Sequence, residues 1–318
     1  MTRCSTEIAI SNVLLATDFS AESAQAVGYA RRFCSRQNAK LFVVHVIDVF
    51  PFVLSADHAA KARIGEIRDN AEAQMKHFVR VNGLEQTRIE PHLIEGETSE
   101  ALEQFIRKHE IDLVVLGSRG DTGINRLFEG SMAEEIFRTA QCPVMVAGPN
   151  AKVPPATAMF SRLLFATDLS PFSRIALPYI EYLLHENPSA RLTLAHFLEQ
   201  ETDNVNERHR LRRNLEHQLT EMIDPEFRNQ IADVVVEACG APEGIIKMAE
   251  GLDADLLVLG VRSGGAFTRA ATHGLFSTAA RVISEIRCPV LTIRTERDPS
   301  RCNERERGSD RAHTNRIS

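Results

Sequence analysis

The sequence predicts an α/β protein made of two tandem, doubly wound domains, each built on a five-stranded parallel sheet. Three observations carry that expectation. The first is that the chain is written twice. Asn12-Val13-Leu14-Leu15-Ala16-Thr17-Asp18-Phe19-Ser20 recurs as Arg162-Leu163-Leu164-Phe165-Ala166-Thr167-Asp168-Leu169-Ser170, and Leu41-Phe42-Val43-Val44-His45-Val46 as Leu192-Thr193-Leu194-Ala195-His196-Phe197. Ile111-Asp112-Leu113-Val114-Val115-Leu116-Gly117 recurs as Ala254-Asp255-Leu256-Leu257-Val258-Leu259-Gly260, and Cys142-Pro143-Val144 as Cys288-Pro289-Val290, all in the same order and at nearly one offset. A period this long marks a duplicated domain rather than a solenoid. The second observation is that short Val/Leu/Ile runs alternate with helical periodicity, the pattern of a parallel sheet covered on both faces. The third is a glycine-bearing loop between an apolar run and a helix, at Gly117-Ser118-Arg119-Gly120 and Gly130-Ser131.

Taken in order, the first copy has strands near 12–17, 41–47, 88–94, 111–117 and 143–147. Its helices fall near 20–37, 57–82, 98–109 and 131–140. Ser20 and Ser170 are natural N-caps, whose hydroxyls accept from the free N–H groups of the first turn. Pro171 suits a first helical position, where its missing N–H costs nothing. The join, Gly148-Pro149-Asn150-Ala151-Lys152-Val153-Pro154-Pro155, is a proline-rich linker across which few contacts are expected. The domains are then 1–150 and 151–296, followed by a charged, turn-rich tail at 297–318 that reads as disordered.

Composition narrows the function. The chain has 318 residues, 43% hydrophobic and 25% charged, as a globular protein should be. A net charge of -6 gives no electrostatic footprint for nucleic acid. No apolar run approaches the roughly 20 residues that span a bilayer, and the N-terminus lacks the apolar core of a signal peptide, so a cytoplasmic location is expected. The six cysteines, Cys4, Cys34, Cys142, Cys239, Cys288 and Cys302, form no CxxC pair and no zinc spacing. They read as mostly buried, inert thiols in a reducing compartment, and no metal site is expected.

Open doubly wound sheets bind ligands beyond the carboxyl ends of their strands, where the strand order reverses. With the order 3-2-1-4-5, that crevice lies between the first and fourth strands. Asp18 ends the first and Gly117 ends the fourth, so the two most distinctive loops converge there. Asp18 is placed to accept from a ribose or base edge, and Val46 to offer backbone groups to the base. Gly117 and Gly120 let the backbone pass close to sugar and phosphate, while Gly130 and Ser131 open a helix whose N–H groups suit phosphates. Arg119 and Arg126 add positive charge. Plainer readings stand beside these: Asp18 as a turn residue before the Ser20 cap, Gly117 as a packing glycine, Gly130-Ser131 as an N-cap. His45, alone between valines on a strand, reads as a packed or hydrogen-bonded histidine rather than a catalytic one.

Ala16-Thr17-Asp18-Phe19-Ser20, the Val-His-Val-Ile-Asp run at 44–48, and the G-x-x-G-(nine residues)-G-S loop closing on Cys142-Pro143-Val144 resemble the universal stress protein family. The resemblance covers roughly 8–148 and again 158–295. It implies two Rossmann-like (HUP-type) domains and, through the glycine loop, the ATP-binding branch of the family. The ATP contacts it implies are Ala16, Thr17, Asp18, Val46, Leu116, Gly117, Ser118, Gly120, Gly130, Ser131 and Met132, with Mg²⁺ or Mn²⁺ accompanying the phosphates. It also implies pairing through the last strands, here 143–147 with 289–294 as an intramolecular pseudo-dimer, and leaves a further homodimer open.

The second copy departs from the pattern. Its loop reads Gly260-Val261-Arg262-Ser263, and Phe276-Ser277 takes the place of Gly130-Ser131 at a longer spacing. One working nucleotide site, in the first copy, is therefore expected. No Walker loop and no protein-kinase set of Lys, HRD and DFG is present, which favours a stress-response or signalling module that binds ATP with little or no turnover. The alternatives are a weak ATPase or autophosphorylating enzyme, and a dimerisation module that binds no nucleotide.

Overall fold

The computed structural model describes residues 8–37, 39–48, 58–86, 88–118, 136, 140–152, 160–200, 203–262 and 273–295. The first half contains β1 (Asn12–Ala16), α1 (Ala21–Gln37), β2 (Lys40–Ile47), α2 (His58–Val81), β3 (Ile89–Glu95), α3 (Thr98–Lys108), β4 (Leu113–Gly117) and β5 (Val144–Ala147). The second contains β6 (Arg162–Ala166), α4 (Leu177–Glu186), β7 (Arg191–Leu198), α5 (Val205–Glu221), β8 (Ile231–Ala238), α6 (Ala241–Gly251), β9 (Leu256–Arg262), α7 (His273–Glu285) and β10 (Val290–Thr295). Of the helix expected at 131–140, only Ile136 and Ala140 are described, joined by the Ala140 N–H to Ile136 carbonyl bond of a helical turn (2.9 Å). The expected tail at 297–318 lies outside the described residues.

The ten strands among the described residues belong to one sheet, in the order β3-β2-β1-β4-β5-β10-β9-β6-β7-β8. The first five therefore run 3-2-1-4-5, with parallel pairing throughout. β5 and β10 pair antiparallel, with Val290 opposite Val146, Leu291 opposite Met145 and Thr292 opposite Val144. The strands are nearly continuous apolar runs because both faces are covered. Val13, Leu15, Val115, Met145 and Leu291 point to one core layer, and Leu14, Val114, Val144, Val146 and Val290 to the other. Each layer runs across both halves without interruption.

The two halves repeat one another at atomic detail. The Asp112 carboxylate accepts from the N–H groups of Ser11 and Asn12 (2.8 and 2.9 Å), latching the entry of β1. Asp255 does the same for Ser161 and Arg162 at the entry of β6. These latches explain why β4 begins at Leu113, two residues later than the apolar pattern suggests.

The expectation of few contacts across the join is overturned. The Tyr29 hydroxyl donates to the Lys152 carbonyl, and the Lys152 N–H to the Arg287 carbonyl (2.9 Å). The Asn150 amide donates to the carbonyls of Ser284 and Glu285 at the end of α7 (3.1 and 3.3 Å). The Lys152 ammonium pairs with Asp253 (2.5 Å). The β5–β10 seam is the reason: it carries residues 148–152 across the C-terminal end of α7, where the last carbonyls lack helical partners.

Pro171 also behaves differently from the expectation. It sits in a turn, followed by a 3-10 stretch (Ser173–Ala176), and α4 begins only at Leu177. Pro178 lies in the first turn of that helix. Having no N–H, it cannot continue α-type bonding from upstream.

Candidate functional site

β1 lies between β2 and β4, at the point where the strand order of the first half reverses. β1 stops at Ala16, opposite Val44, while β2 continues to Ile47. Past Val44, the β1-facing side of β2 is left beside the departing chain, and Val46 sits on this stretch. β4 ends at Gly117, next to the start of α1. The structure therefore brings Ala16, Thr17, Asp18, Val46, Leu116, Gly117 and Ser118 to the carboxyl ends of three adjacent strands. Gly120, Gly130, Ser131 and Met132 lie outside the described residues, as do Arg119 and Arg126.

The turn after β1 is tightly specified. Thr17 is buried; its N–H donates to the Val44 carbonyl (2.9 Å), and its hydroxyl lies 2.9 Å from that of Ser23. The Phe19 N–H donates to Thr17 Oγ1 (2.9 Å). Asp18 Oδ1 accepts from the backbone N–H and the hydroxyl of Ser20 (3.0 and 2.5 Å). The Ser23 N–H donates to Ser20 Oγ (3.2 Å), so Ser20 is the N-cap its sequence position suggests. Phe19 takes a positive φ of 64°, unusual for a residue with a bulky side chain.

Asp18 thus makes the turn that its plainer reading describes, and it does so just past the carboxyl end of β1, where the strand order reverses. Gly117 likewise has a packing role. A Cβ there would fall on the Glu22 carbonyl oxygen, far inside van der Waals contact. Ser118 is buried, and both its N–H (2.9 Å) and its hydroxyl (3.4 Å) donate to the Ala147 carbonyl. Its donors are committed to the fold.

His45 is both packed and hydrogen-bonded, as its place on an apolar strand suggests. Its Nδ1 lies 2.8 Å from the Thr17 carbonyl. A carbonyl only accepts, so Nδ1 carries the proton. The Phe19 ring packs against the imidazole, with centroids 4.3 Å apart. Burial holds the His45 pKa below its ordinary value, against the opposing pull of the Thr17 hydrogen bond and the Asp18 charge. The signal was present in the sequence: a histidine in the same apolar strand of both copies.

The second half repeats this turn. The Thr167 hydroxyl donates to Ser173 Oγ (2.7 Å), the Leu169 N–H to Thr167 Oγ1 (3.0 Å) and the Ser170 N–H to Asp168 Oδ1 (2.9 Å). Leu169 has φ 61°, and His196 Nδ1 lies 2.8 Å from the Thr167 carbonyl. A Cβ on Gly260 would fall against the backbone of Ser173. Burial alone would raise the Asp168 pKa, but hydrogen bonds from Ser170 and Ser173 outweigh it and hold the carboxyl low.

Beyond the turn the halves diverge. β4 ends at Gly117, whereas β9 continues two residues past Gly260. There Val261 pairs with Arg294 and Arg262 with Thr295. The loop expected to open at Gly260 is therefore still strand. α7 begins at His273, so Phe276 and Ser277 lie inside its first turns rather than at its cap.

Among the described residues, no group of three or more His, Cys, Asp or Glu side chains is placed to hold a metal ion. Nor is any helix among them long and apolar enough to cross a membrane. Cys34, Cys142 and Cys288 are free and buried, and burial pushes each thiol pKa up to about 12. Cys4 and Cys302 lie outside the described residues.

A duplicated α/β unit on a sheet whose strand order reverses at β1 defines a tandem protein of the Rossmann-like class. The chain belongs to the universal stress protein family: the profile of that family matches residues 9–148 and again 159–294. A universal stress protein of Methanocaldococcus jannaschii is 28% identical over 135 residues, covering 42% of this chain and 79% of that protein. One from Thermus aquaticus is 29% identical over 137 residues, covering 42% and 96%. Among solved structures, a universal stress protein from Archaeoglobus fulgidus superposes with a TM-score of 0.66 at 20% identity, covering 89% of this chain and 96% of that one.

Proposed function

We propose that the chain is an ATP-binding stress-response module in which only the first half holds nucleotide, with little or no turnover. The observation that carries this reading is the junction of Thr17–Asp18, Val46 and Gly117 at the switch point of the first five strands. On this reading Asp18 accepts from the ribose, and the β2 backbone around Val46 faces the base. The phosphates lie away from the two carboxylates of Asp18 and Glu22, which would repel them, and toward residues 119–132. Gly120, Gly130, Ser131 and Met132, outside the described residues, are the phosphate contacts that the family resemblance implies. Mg²⁺ or Mn²⁺, when bound, neutralises phosphate charge. The continuation of β9 past Gly260 supports a second half without a phosphate loop.

The same reading takes 1–150 and 151–296 as the domains, paired through β5 and β10 as an intramolecular pseudo-dimer, and the chain as cytoplasmic. The test is direct: release and identify any nucleotide that co-purifies with the full chain, then titrate the emptied protein with ATP. One equivalent per chain, without multiple turnover, is the expected result. Two equal sites, robust catalysis or no binding would overturn it.

A further inference from the structure

We infer that His45 is a positioning residue of the first-half crevice, holding the Thr17–Asp18 peptide where a nucleotide must meet it. The inference rests on the nucleotide-binding reading above. Thr17 is the last residue that β2 holds before the chain turns away. Its N–H is tied to the Val44 carbonyl and its carbonyl to His45 Nδ1, at 2.9 and 2.8 Å. Two residues on, Phe19 adopts its positive φ with its ring against the same imidazole. One side chain thus fixes the carbonyl that precedes Asp18 and supports the strained residue that follows it. Asp18 is left little freedom to swing. Nδ1 donates in both the neutral and the cationic imidazole, so the clamp holds whatever the charge on the ring.

His196 makes the same bond to Thr167 at 2.8 Å, beside a strand that runs on past Gly260. It is therefore an internal control: the same local structure in the half that the reading above takes to hold no nucleotide. A purely structural histidine would make the two positions equivalent in every assay. A positioning residue makes only His45 matter to the ligand.

The experiment titrates ATP into the full chain as wild type, H45L, H45N and H196L, with thermal unfolding recorded alongside. Leucine removes the donor, whereas the asparagine amide can reach the place of Nδ1. The expected result is at least tenfold weaker binding for H45L, recovery to within about threefold for H45N, and no change for H196L despite a similar loss of Tm. Wild-type affinity in H45L, or equal weakness in H45L and H45N, would overturn the inference. If H45L does not fold, ¹⁵N imidazole spectra of the wild type decide. Nδ1 protonated with and without ATP supports the clamp, and an unprotonated Nδ1 overturns it. Failure of the wild type itself to bind ATP would instead sink the reading on which the inference stands.

Discussion

Gly148 lies against the Ile283 carbonyl so closely that no Cβ fits between them. The contact joins the residue after β5 to the helix of the other half that precedes β10. Gly148→Ala should push β5 and α7 apart and cost about 1–3 kcal/mol, the usual range for overpacking. Denaturant unfolding with probes in each half will measure it; an unchanged midpoint would contradict the packing argument.

Gly117 and Gly260 occupy equivalent positions against α1 and the Ser173 turn, yet they should separate function from stability. Gly117→Ala should lower stability by a similar 1–3 kcal/mol and weaken ATP binding, because it displaces β4 from the turn that carries Asp18. Gly260→Ala should lower stability alone. Paired calorimetry on the two variants checks this, and equal effects on ATP affinity would refute a single working site.

Asp18→Ala should remove most ATP binding, whereas Asp168→Ala should leave the stoichiometry unchanged. Each carboxylate accepts from a serine N–H in the equivalent turn of its half, so each substitution should cost about 1–3 kcal/mol of stability. The difference between the two variants isolates the ligand effect from that shared cost.

Stability should fall at alkaline pH. Cys34, Cys142 and Cys288 keep their protons to about pH 12 when folded, against an ordinary value of 9.0. A raised folded pKa stabilises the fold fully below pH 9.0 and is lost as pH rises toward 12, because the unfolded chain releases protons first. The slope should approach about 1.4 kcal/mol per pH unit for each thiol in that window. Urea midpoints between pH 8 and 12 will show it, and a Cys34→Ala, Cys142→Ala, Cys288→Ala variant should flatten the curve.

Residues 1–152 produced alone should associate. The fragment would expose the β5 edge, with Val144, Met145, Val146 and Ala147 all buried in the full chain. An open apolar strand recruits another of its kind. Light scattering should report a dimer whose population rises with concentration; a stable monomer would count against the seam as a pairing surface.

Much of this was legible in the sequence because the duplication is strict where hydrogen bonding is strict. Thr17, Ser20 and Ser23 match Thr167, Ser170 and Ser173 because each closes the same turn. The apolar strands and the serine cap of α1 followed from burial and capping alone. The contacts of Asn150 and Lys152 were hidden because they arise from long-range docking, to which a proline-rich segment gives no local clue. The extension of β9 was hidden because glycine at 260 looks like a strand end, although its absent Cβ serves packing against Ser173. His45 is packed and hydrogen-bonded as its place between valines suggests, but its partner is a backbone carbonyl, which sequence does not display.

The antiparallel seam between β5 and β10 has a geometric consequence. Strands of the first half all point one way and those of the second the other, so the carboxyl ends of β1 and β6 open on opposite rims of the sheet. Whatever gathers at one rim is screened from the other by the full width of the strands. The turn shared by the two halves is therefore presented twice, Thr17–Ser20 on one rim and Thr167–Ser170 on the other.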